Sequence, residues 1–265
     1  MENMTARSFR AQKNVRQLTM LTAYDALFAC WLDRAGVDAI LVGDSLGPVM
    51  LGYPDTTRVT LQDMEHHVRA AAAGVSRSLL VADLPFLSGH LGVHRTVEDA
   101  GRLIRAGARA VKLEGGAGQV PSVRALTAAG IPVMGHLGLT PQSIHVLGSY
   151  GVRGREDEEA GKILEDALAL EEAGAFSLVL ECVPDVLAAR VRRETGIPVI
   201  GIGSGTGCDG QVLVLWDMLG LNPGHVPGFV RPCGNLGDTL TGAVREFMDR
   251  THKEGHLREE NDESN

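Results

Sequence analysis

Ile40-Leu41-Val42-Gly43-Asp44 is the first of four short apolar runs that each end on an acidic residue, and these runs decide the fold class. The other three are Leu79-Leu80-Val81-Ala82-Asp83, Ala110-Val111-Lys112-Leu113-Glu114 and Leu178-Val179-Leu180-Glu181. A short aliphatic run bounded by turn residues is typical of a buried parallel strand. Because the carboxyl ends of parallel strands lie on one face, we expect the four carboxylates to converge. One such residue is often only a helix N-cap, but four with a lysine favour a site for a hard cation or proton transfer.

Candidate strands alternate with helical patterns along the whole chain. We predict strands near residues 18–23, 39–43, 79–82, 110–113, 132–135, 177–180, 198–202 and 226–230, and a last helix near 236–250. Most helical patterns end at an Ala-Gly pair, where glycine can close the helix. Eight βα units predict an α/β protein with a single (β/α)8 TIM-type barrel over residues 1–250. The polar, acidic residues 251–265 are predicted to form a disordered tail.

The composition limits the partners that we expect. The chain has 265 residues, of which 44% are hydrophobic, and a formal net charge of −8. A net negative charge argues against nucleic acid or an anionic membrane as the main partner. No apolar run reaches the ~20 residues that span a bilayer, and the first residues lack a secretory signal. The four cysteines have no paired spacing, so we expect a cytoplasmic protein with reduced thiols.

The candidate site residues lie at the ends of these predicted strands. Asp44 and Asp83 have the hard oxygen ligands that Mg²⁺ prefers, and Glu114 can hold the cation or its water. Lys112 lies inside an aliphatic run, where a charge needs a partner. His136 follows the fifth predicted strand and can bind a substrate oxygen, although a histidine there is also often a satisfied core residue.

A glycine-rich stretch after the seventh predicted strand matches a dinucleotide-binding pattern. Gly205-Thr206-Gly207-Cys208-Asp209-Gly210 has the G-x-G-x-x-G spacing. A dinucleotide site here would need a further βαβ half, and only some fifty residues follow. We therefore interpret the stretch as a barrel loop whose backbone N–H groups can face an anion.

Seven motifs in order carry a family resemblance. They are Leu21-Thr22-Ala23-Tyr24-Asp25, Val42-Gly43-Asp44-Ser45-Leu46-Gly47, Ala82-Asp83-Leu84-Pro85-Phe86, Val111-Lys112-Leu113-Glu114-Gly115-Gly116, Gly135-His136-Leu137-Gly138-Leu139-Thr140-Pro141-Gln142-Ser143, Leu180-Glu181-Cys182-Val183-Pro184 and Ile200-Gly201-Ile202-Gly203-Ser204-Gly205. Together they closely resemble the ketopantoate hydroxymethyltransferase (3-methyl-2-oxobutanoate hydroxymethyltransferase) family over roughly residues 15–248.

The resemblance implies a (β/α)8 barrel transferase in pantothenate biosynthesis, the pathway to coenzyme A. It implies transfer of a hydroxymethyl group from 5,10-methylenetetrahydrofolate to 3-methyl-2-oxobutanoate (2-oxoisovalerate), giving 2-dehydropantoate (ketopantoate) through a Mg-stabilised enolate. One Mg²⁺ per subunit and a homo-oligomer, commonly a decamer built as a pentamer of dimers, are implied as well. The small-molecule partners are then the 2-oxo acid and the reduced folate.

The resemblance also implies roles for the residues that match. Asp44 and Asp83 would hold Mg²⁺ and through it the substrate, with Glu114 tuning the metal site. Lys112 and Ser45 would bind the anionic end of the substrate, and His136 would position it. Glu181 would be the general base. The residues that contact folate are not indicated.

One loop departs from the family pattern, and two other functions stay open. After Leu84-Pro85-Phe86 the family usually carries a small residue and then tyrosine, whereas this chain has Gly89 in place of the tyrosine, followed by His90. The rival enzyme class is the Mg-dependent oxo-acid lyases and mutases of the phosphoenolpyruvate mutase and isocitrate lyase group, but the chain lacks their Lys-Cys-Gly-His loop. A non-catalytic barrel acting as an assembly partner is the third possibility, and the intact polar residues argue against it.

Overall fold

The computed structural model of the chain describes residues 3–262, with side chains described as far as residue 253. Its centre is a closed barrel of parallel strands, in which each strand pairs with the next and β8 pairs with β1. The strands are β1 (Leu18–Thr22), β2 (Ala39–Val42), β3 (Leu79–Asp83), β4 (Ala110–Glu114), β5 (Val133–Gly138), β6 (Ser177–Glu181), β7 (Val199–Ile202) and β8 (Gly210–Leu213). The predicted (β/α)8 barrel is confirmed.

The helices follow most strands. They are α1 (Ala6–Arg10), α2 (Ala26–Ala35), α3 (Leu61–Ala72), α4 (Val93–Ala106), α5 (Val120–Ala128), α6 (Ile144–Leu147), α7 (Asp157–Glu172), α8 (Asp185–Glu194), α9 (Leu215–Met218) and α10 (Leu236–Asp262). Short helical turns lie at Gly47–Leu51, Thr56–Arg58, Ala117–Gln119 and Pro141–Ser143. No helix in residues 3–262 has both the length and the apolar character needed to cross a bilayer.

Burial explains why both kinds of element could be read from the sequence. Every residue of β2, β3 and β4 is buried, as expected for strands covered on both faces. Helix α4 instead buries one stripe, formed by Thr96, Asp99, Ala100, Leu103 and Ala106, at the spacing of successive turns. It ends at Gly107, whose φ of 120° disfavours any residue with a side chain.

The amino-terminal segment packs against the barrel core. Thr5 and Ser8 form a capping box at the start of α1. The fully buried Phe9 then packs edge-on against Phe176, with ring centroids 5.9 Å apart, in the same cluster as Leu18 and Met20 of β1. This short helix therefore places an aromatic ring in the barrel core.

The last strand is not where the sequence predicted it. We predicted the eighth strand near residues 226–230, but β8 is Gly210–Leu213, and no helix separates it from β7. The prediction was wrong because a glycine-rich stretch is typical of a strand-to-helix loop, whereas here its last glycine begins the strand. Gly210 is needed there, since an added Cβ would lie 2.4 Å from the carbonyl oxygen of Leu18 in the paired strand.

The chain divides into two compact units, Met1–Val214 and Leu215–Asn265. The first contains the whole barrel, which therefore ends well before residue 250. Within the second, the Cys233 N–H donates to the carbonyl of Met218 at 2.7 Å, which ties the loop before α10 to the end of α9. Helix α10 continues through Asp262, so residues 251–262 are helical where a disordered tail was predicted. Residues 263–265 lie outside the described part of the chain.

Candidate active site

All seven candidate residues line one cavity at the carboxyl ends of the strands. They are Asp44, Ser45, Asp83, Lys112, Glu114, His136 and Glu181. The cavity has a volume of about 110 Å³. Asp83, Glu114 and Glu181 are the last residues of their strands, and Asp44 follows β2 by two residues. The expected convergence of the strand-end carboxylates is confirmed, while the role of each residue stays a prediction.

Strand register brings oppositely charged groups together. Asp83 pairs with Lys112 across β3 and β4, and Glu114 pairs with His136 across β4 and β5. Side chains of paired residues lie on the same face of a sheet. The Lys112 ammonium accordingly lies 3.1 Å from Asp83 Oδ1, with both side chains buried.

Neighbouring carboxylates favour the charged form of Lys112. Burial by itself would lower the pKa of the ammonium, but the carboxylates of Asp83, Glu114 and Asp44 raise it above its ordinary value. Because the positive charge is retained, Lys112 can bind an anionic group of a substrate. The sequence prediction that a lysine in an aliphatic run needs a charged partner is confirmed by the Asp83 contact.

The two aspartates carry an excess of negative charge. Burial raises the pKa of Asp44 well above its ordinary value, and the nearby carboxylates of Asp83 and Glu114 raise it further. Burial also raises the pKa of Asp83, against the opposing charge of Lys112. The two residues are linked, since the Asp44 N–H donates to Asp83 Oδ2 at 3.0 Å.

This pair fits a magnesium ion. Within the described residues there is no group of three or more His, Cys, Asp and Glu side chains arranged to hold a metal. Mg²⁺ does not require one, because it commonly binds one or two carboxylates and completes its shell with water and substrate. Asp83 Oδ1 is buried without a well-formed hydrogen bond, and a divalent cation would offset the charge that raises both pKa values.

Contacts with Gln142 and His136 orient the Glu114 carboxylate. Its Oε2 accepts the Gln142 N–H at 3.1 Å, and its Oε1 lies 3.3 Å from His136 Nδ1. Burial would raise the pKa of Glu114, but the hydrogen bond and charge of His136 lower it. Oε1, like Asp83 Oδ1, is buried without a well-formed hydrogen bond, which leaves that oxygen available to the cation or its water.

His136 lies between two carboxylates. Nδ1 faces Glu114, and Nε2 lies 3.2 Å from Glu181 Oε2. Burial and the Lys112 charge would lower the pKa of His136, yet Glu114 and Glu181 raise it to about 9. Lys112 Nζ is also 3.0 Å from Nδ1, which is a hydrogen bond only if the imidazole is neutral. In either state Nε2 carries a proton, and its 3.2 Å approach to Glu181 Oε2 is an ion-pair contact rather than a well-formed hydrogen bond.

The sequence analysis missed two side chains that organise the site. Tyr24 is fully buried, and its hydroxyl lies 2.8 Å from Ser45 Oγ, which fixes that hydroxyl at the cavity wall. Gln142 donates from Nε2 to Asp44 Oδ2 at 2.8 Å and to the Leu84 carbonyl at 2.9 Å. Both residues lie within motifs quoted above, but neither ends a strand, so the strand-end rule did not select them.

The glycine-rich loop donates a hydrogen bond to a carboxylate of the same chain. The Gly207 N–H donates to Asp185 Oδ1 at 2.9 Å. A Cβ added at Gly205 would lie 2.3 Å from the Asp185 carboxyl carbon. The glycines therefore make room for the exposed carboxylate of Asp185 at the start of α8, which accepts the Gly207 N–H that could otherwise face a phosphate.

The loop that differs from the family pattern, which contains Gly89 and His90, lies away from the cavity wall. Gly89 packs closely, since an added Cβ would lie 2.8 Å from Leu113 Cδ1. Ser88 Oγ donates to Asp99 of α4 at 2.8 Å, which anchors the loop. His90 is exposed and is not among the residues that line the cavity.

A closed barrel with a buried polar cavity at the carboxyl ends of its strands defines an enzyme of the (β/α)8 class. Residues 3–256 match the family model described as ketopantoate hydroxymethyltransferase. The chain belongs to this family.

Relatives about 50% identical agree with that assignment, and more distant solved structures share only the fold. The 3-methyl-2-oxobutanoate hydroxymethyltransferase of Acetivibrio thermocellus is 52% identical, with 92% of this chain and 87% of that protein covered. The protein of the same name from Ignicoccus hospitalis is 50% identical, covering 94% and 95%. Among solved structures, a phosphonopyruvate hydrolase complex with oxalate and Mg²⁺ shares the fold, with a TM-score of 0.64, 18% identity and coverage of 95% and 88%. A 2,3-dimethylmalate lyase of the PEP mutase/isocitrate lyase superfamily has a TM-score of 0.61, 18% identity and coverage of 96% and 89%.

Proposed function

We propose that this chain transfers a hydroxymethyl group from 5,10-methylenetetrahydrofolate to 3-methyl-2-oxobutanoate, producing 2-dehydropantoate for pantothenate synthesis. The observation that carries the proposal is the division of the cavity into two parts. Asp44, Asp83 and Lys112 form a charged part that suits a cation and an anionic substrate, while His136 and Glu181 form a proton-transfer pair. The names of relatives about 50% identical to this chain support the choice of substrate.

The charged part of the cavity would bind the 2-oxo acid. The Lys112 ammonium is buried, and its raised pKa keeps it protonated, so it can pair with the substrate carboxylate. Ser45 Oγ, fixed by Tyr24, offers a hydroxyl to the same anionic end. Asp44 and Asp83 would hold Mg²⁺ beside it. When bound, Mg²⁺ supplies Lewis-acid stabilisation of the negative charge that develops on the substrate oxygen.

The proton-transfer pair would act at the branched carbon, C3. Glu181 retains a partly exposed side chain and accepts the C3 proton as general base. His136, whose Nε2 lies 3.2 Å from Glu181 Oε2, attracts that carboxylate and helps to hold it in the cavity. C3 then forms a bond to the methylene carbon of the folate as one of the two C–N bonds of that carbon breaks. Water replaces the second nitrogen and supplies the hydroxyl group. The proton from C3 and one proton from water end on the two nitrogens of the departing tetrahydrofolate.

An assay of the purified full chain tests this proposal. 3-Methyl-2-oxobutanoate and 5,10-methylenetetrahydrofolate are mixed with the protein, and 2-dehydropantoate is measured by mass spectrometry. Product should require both substrates, disappear with a chelator and return with Mg²⁺. Full turnover in metal-free protein would remove the assigned role of the aspartates. Cleavage of a 2-oxo acid without folate would instead support the lyase alternative.

We also propose, from the family resemblance, that the protein acts in the cytoplasm as a homo-oligomer, a decamer built as a pentamer of dimers. Sedimentation velocity of the purified chain measures the assembly directly. A monomer at micromolar concentration would contradict the proposal.

A further inference from the structure

Gln142 connects three neighbouring strand ends at the rim of the cavity. Its side-chain amide donates to Asp44 Oδ2, beyond β2, at 2.8 Å and to the Leu84 carbonyl, beyond β3, at 2.9 Å. Its backbone N–H donates to Glu114 Oε2, at the end of β4, at 3.1 Å. The residue itself belongs to the helical turn Pro141–Ser143, which follows β5. A single residue thus contacts groups from three other βα units.

The orientation of the amide follows from its partners. A carboxylate oxygen and a backbone carbonyl are both acceptors, so only the NH₂ end of the amide can face them. Its two hydrogens are then both used, one for each acceptor. Rotating the amide by 180° would place an oxygen against two oxygens. The contact therefore fixes Asp44 Oδ2 in a defined direction.

We infer that Gln142 is a positioning residue that orients Asp44 for a divalent cation. The inference rests on the proposed function, in which Asp44 and Asp83 hold Mg²⁺. Asp44 is buried beside other carboxylates, so without a donor on Oδ2 its side chain would be driven away from Asp83. Gln142 counters this repulsion without adding charge. Pro141 lines the cavity, so the same turn forms part of the cavity wall and holds the aspartate.

The test replaces the amide and measures cation binding without any reaction. Gln142→Met keeps the length of the side chain and removes both side-chain hydrogen bonds, while the backbone N–H to Glu114 remains. Mn²⁺ is titrated into the full chain, and free Mn²⁺ is followed by electron paramagnetic resonance. Loss of a group that orients a metal ligand typically weakens metal affinity by roughly 10–100-fold, and we expect a change of this size. Gln62→Met, on the exposed face of α3, is the matched control and should bind like the wild type.

A second measurement separates positioning from a purely structural role. Because Asp44 itself remains, saturating Mg²⁺ should return kcat of Gln142→Met toward the wild-type value, which it would not do for a collapsed site. If circular dichroism shows that the methionine variant is unfolded, Gln142→Ala takes its place with the same expectation. A folded variant that binds Mn²⁺ as tightly as the wild type overturns the inference and leaves the proposed function standing. Failure of the wild type itself to bind Mn²⁺ would overturn both.

Discussion

Aspartates are buried at both ends of the barrel, but their pKa values are shifted in opposite directions. At the amino ends of the strands, Asp33 accepts hydrogen bonds from the backbone N–H groups of Ser76, Arg77 and Ser78 and from the Ser76 hydroxyl. Burial would raise its pKa, but these donors lower it. At the carboxyl ends, Asp44 accepts one side-chain hydrogen bond, from Gln142, and its pKa is raised.

The pKa of Asp209, which also lies at the amino ends of the strands, is lowered by hydrogen-bond donors like that of Asp33. Asp209 lies just before β8 and accepts from the ammonium of Lys13 at 2.8 Å, from Arg192 at 2.9 Å and from the Val199 N–H at 3.0 Å. Burial opposes ionisation, yet these donors lower the pKa of Asp209. Such a carboxylate is fully used in holding elements together and has little capacity left for a ligand.

The difference indicates which clusters of acidic residues can bind a cation or a substrate. A buried carboxylate whose oxygens all accept hydrogen bonds stabilises the fold. Neighbouring carboxylates with few donors repel each other, and a bound cation or substrate can reduce that repulsion. In (β/α)8 barrels, function concentrates at the carboxyl-terminal face and stability at the other. The following variants test whether that division holds here.

The largest expected effect is on catalysis at the carboxyl-terminal end. Glu181→Gln keeps the shape of the side chain and removes its basicity, so proton abstraction should slow by about 10²–10⁴-fold, the usual contribution of a general base. Exchange of the substrate C3 proton with deuterated water, followed by NMR without folate, measures that step alone. Glu158→Gln, at an exposed position of α7, is the control. Exchange at the wild-type rate in the Glu181 variant would move the base elsewhere, with Glu114 the next candidate.

At the opposite end the expected effect is on stability. Asp209→Asn leaves the largely but not fully buried Lys13 ammonium without its charged partner and should lower the free energy of unfolding by about 3–5 kcal/mol, measured by urea titration. The folded pKa of Asp209 lies below its ordinary value of 3.8, so its stabilisation is present above that value and is lost as the pH falls through the folded pKa. The stability gap to the wild type should therefore close in strong acid. Asp249→Asn, at an exposed position of α10, should change stability by less than about 0.5 kcal/mol. An equal loss in both variants would show that the amino-terminal cluster has no special role.

A smaller and opposite change of stability is expected for the same substitution in the cavity. Asp44→Asn removes one of the repelling charges, so the free energy of unfolding in metal-free buffer should stay constant or rise by about 1 kcal/mol, while activity is lost. Thermal unfolding and the product assay together measure the two effects. A destabilisation as large as that of Asp209→Asn would mean that Asp44 is a structural residue.

The smallest expected effect is no change at all. Because the Asp185 carboxylate already accepts the Gly207 N–H of the glycine-rich loop, NAD and NADP should show no heat of binding in a calorimetric titration at micromolar concentrations. Saturable binding of either nucleotide would contradict this interpretation of the loop.

The sequence predicted the strands that are apolar throughout and missed what depends on few residues or on distant contacts. β2, β3, β4 and β6 were found because strands buried on both faces have continuous aliphatic runs, and their last residues then indicated the cavity. β8 was missed because it begins with glycine and exposes Gln211, so it lacks a continuous aliphatic run. Gln142 and Tyr24 could not be selected, since their importance lies in partners that only the closed barrel brings near. The donors to Asp209 come from residues 13, 192 and 199, and no local pattern connects them.

Until β1 pairs with β8, the growing chain has an open strand edge through which it can associate with other chains. Leu18 pairs with Gly210, about 190 residues later in the chain. At a synthesis rate of roughly 5–20 residues per second, β1 waits on the order of ten to forty seconds for its partner to be made. During that interval its outer edge has unpaired N–H and C=O groups, which can pair with a strand of another chain. The interval ends only when four residues, Gly210–Leu213, have emerged from the ribosome and closed the barrel.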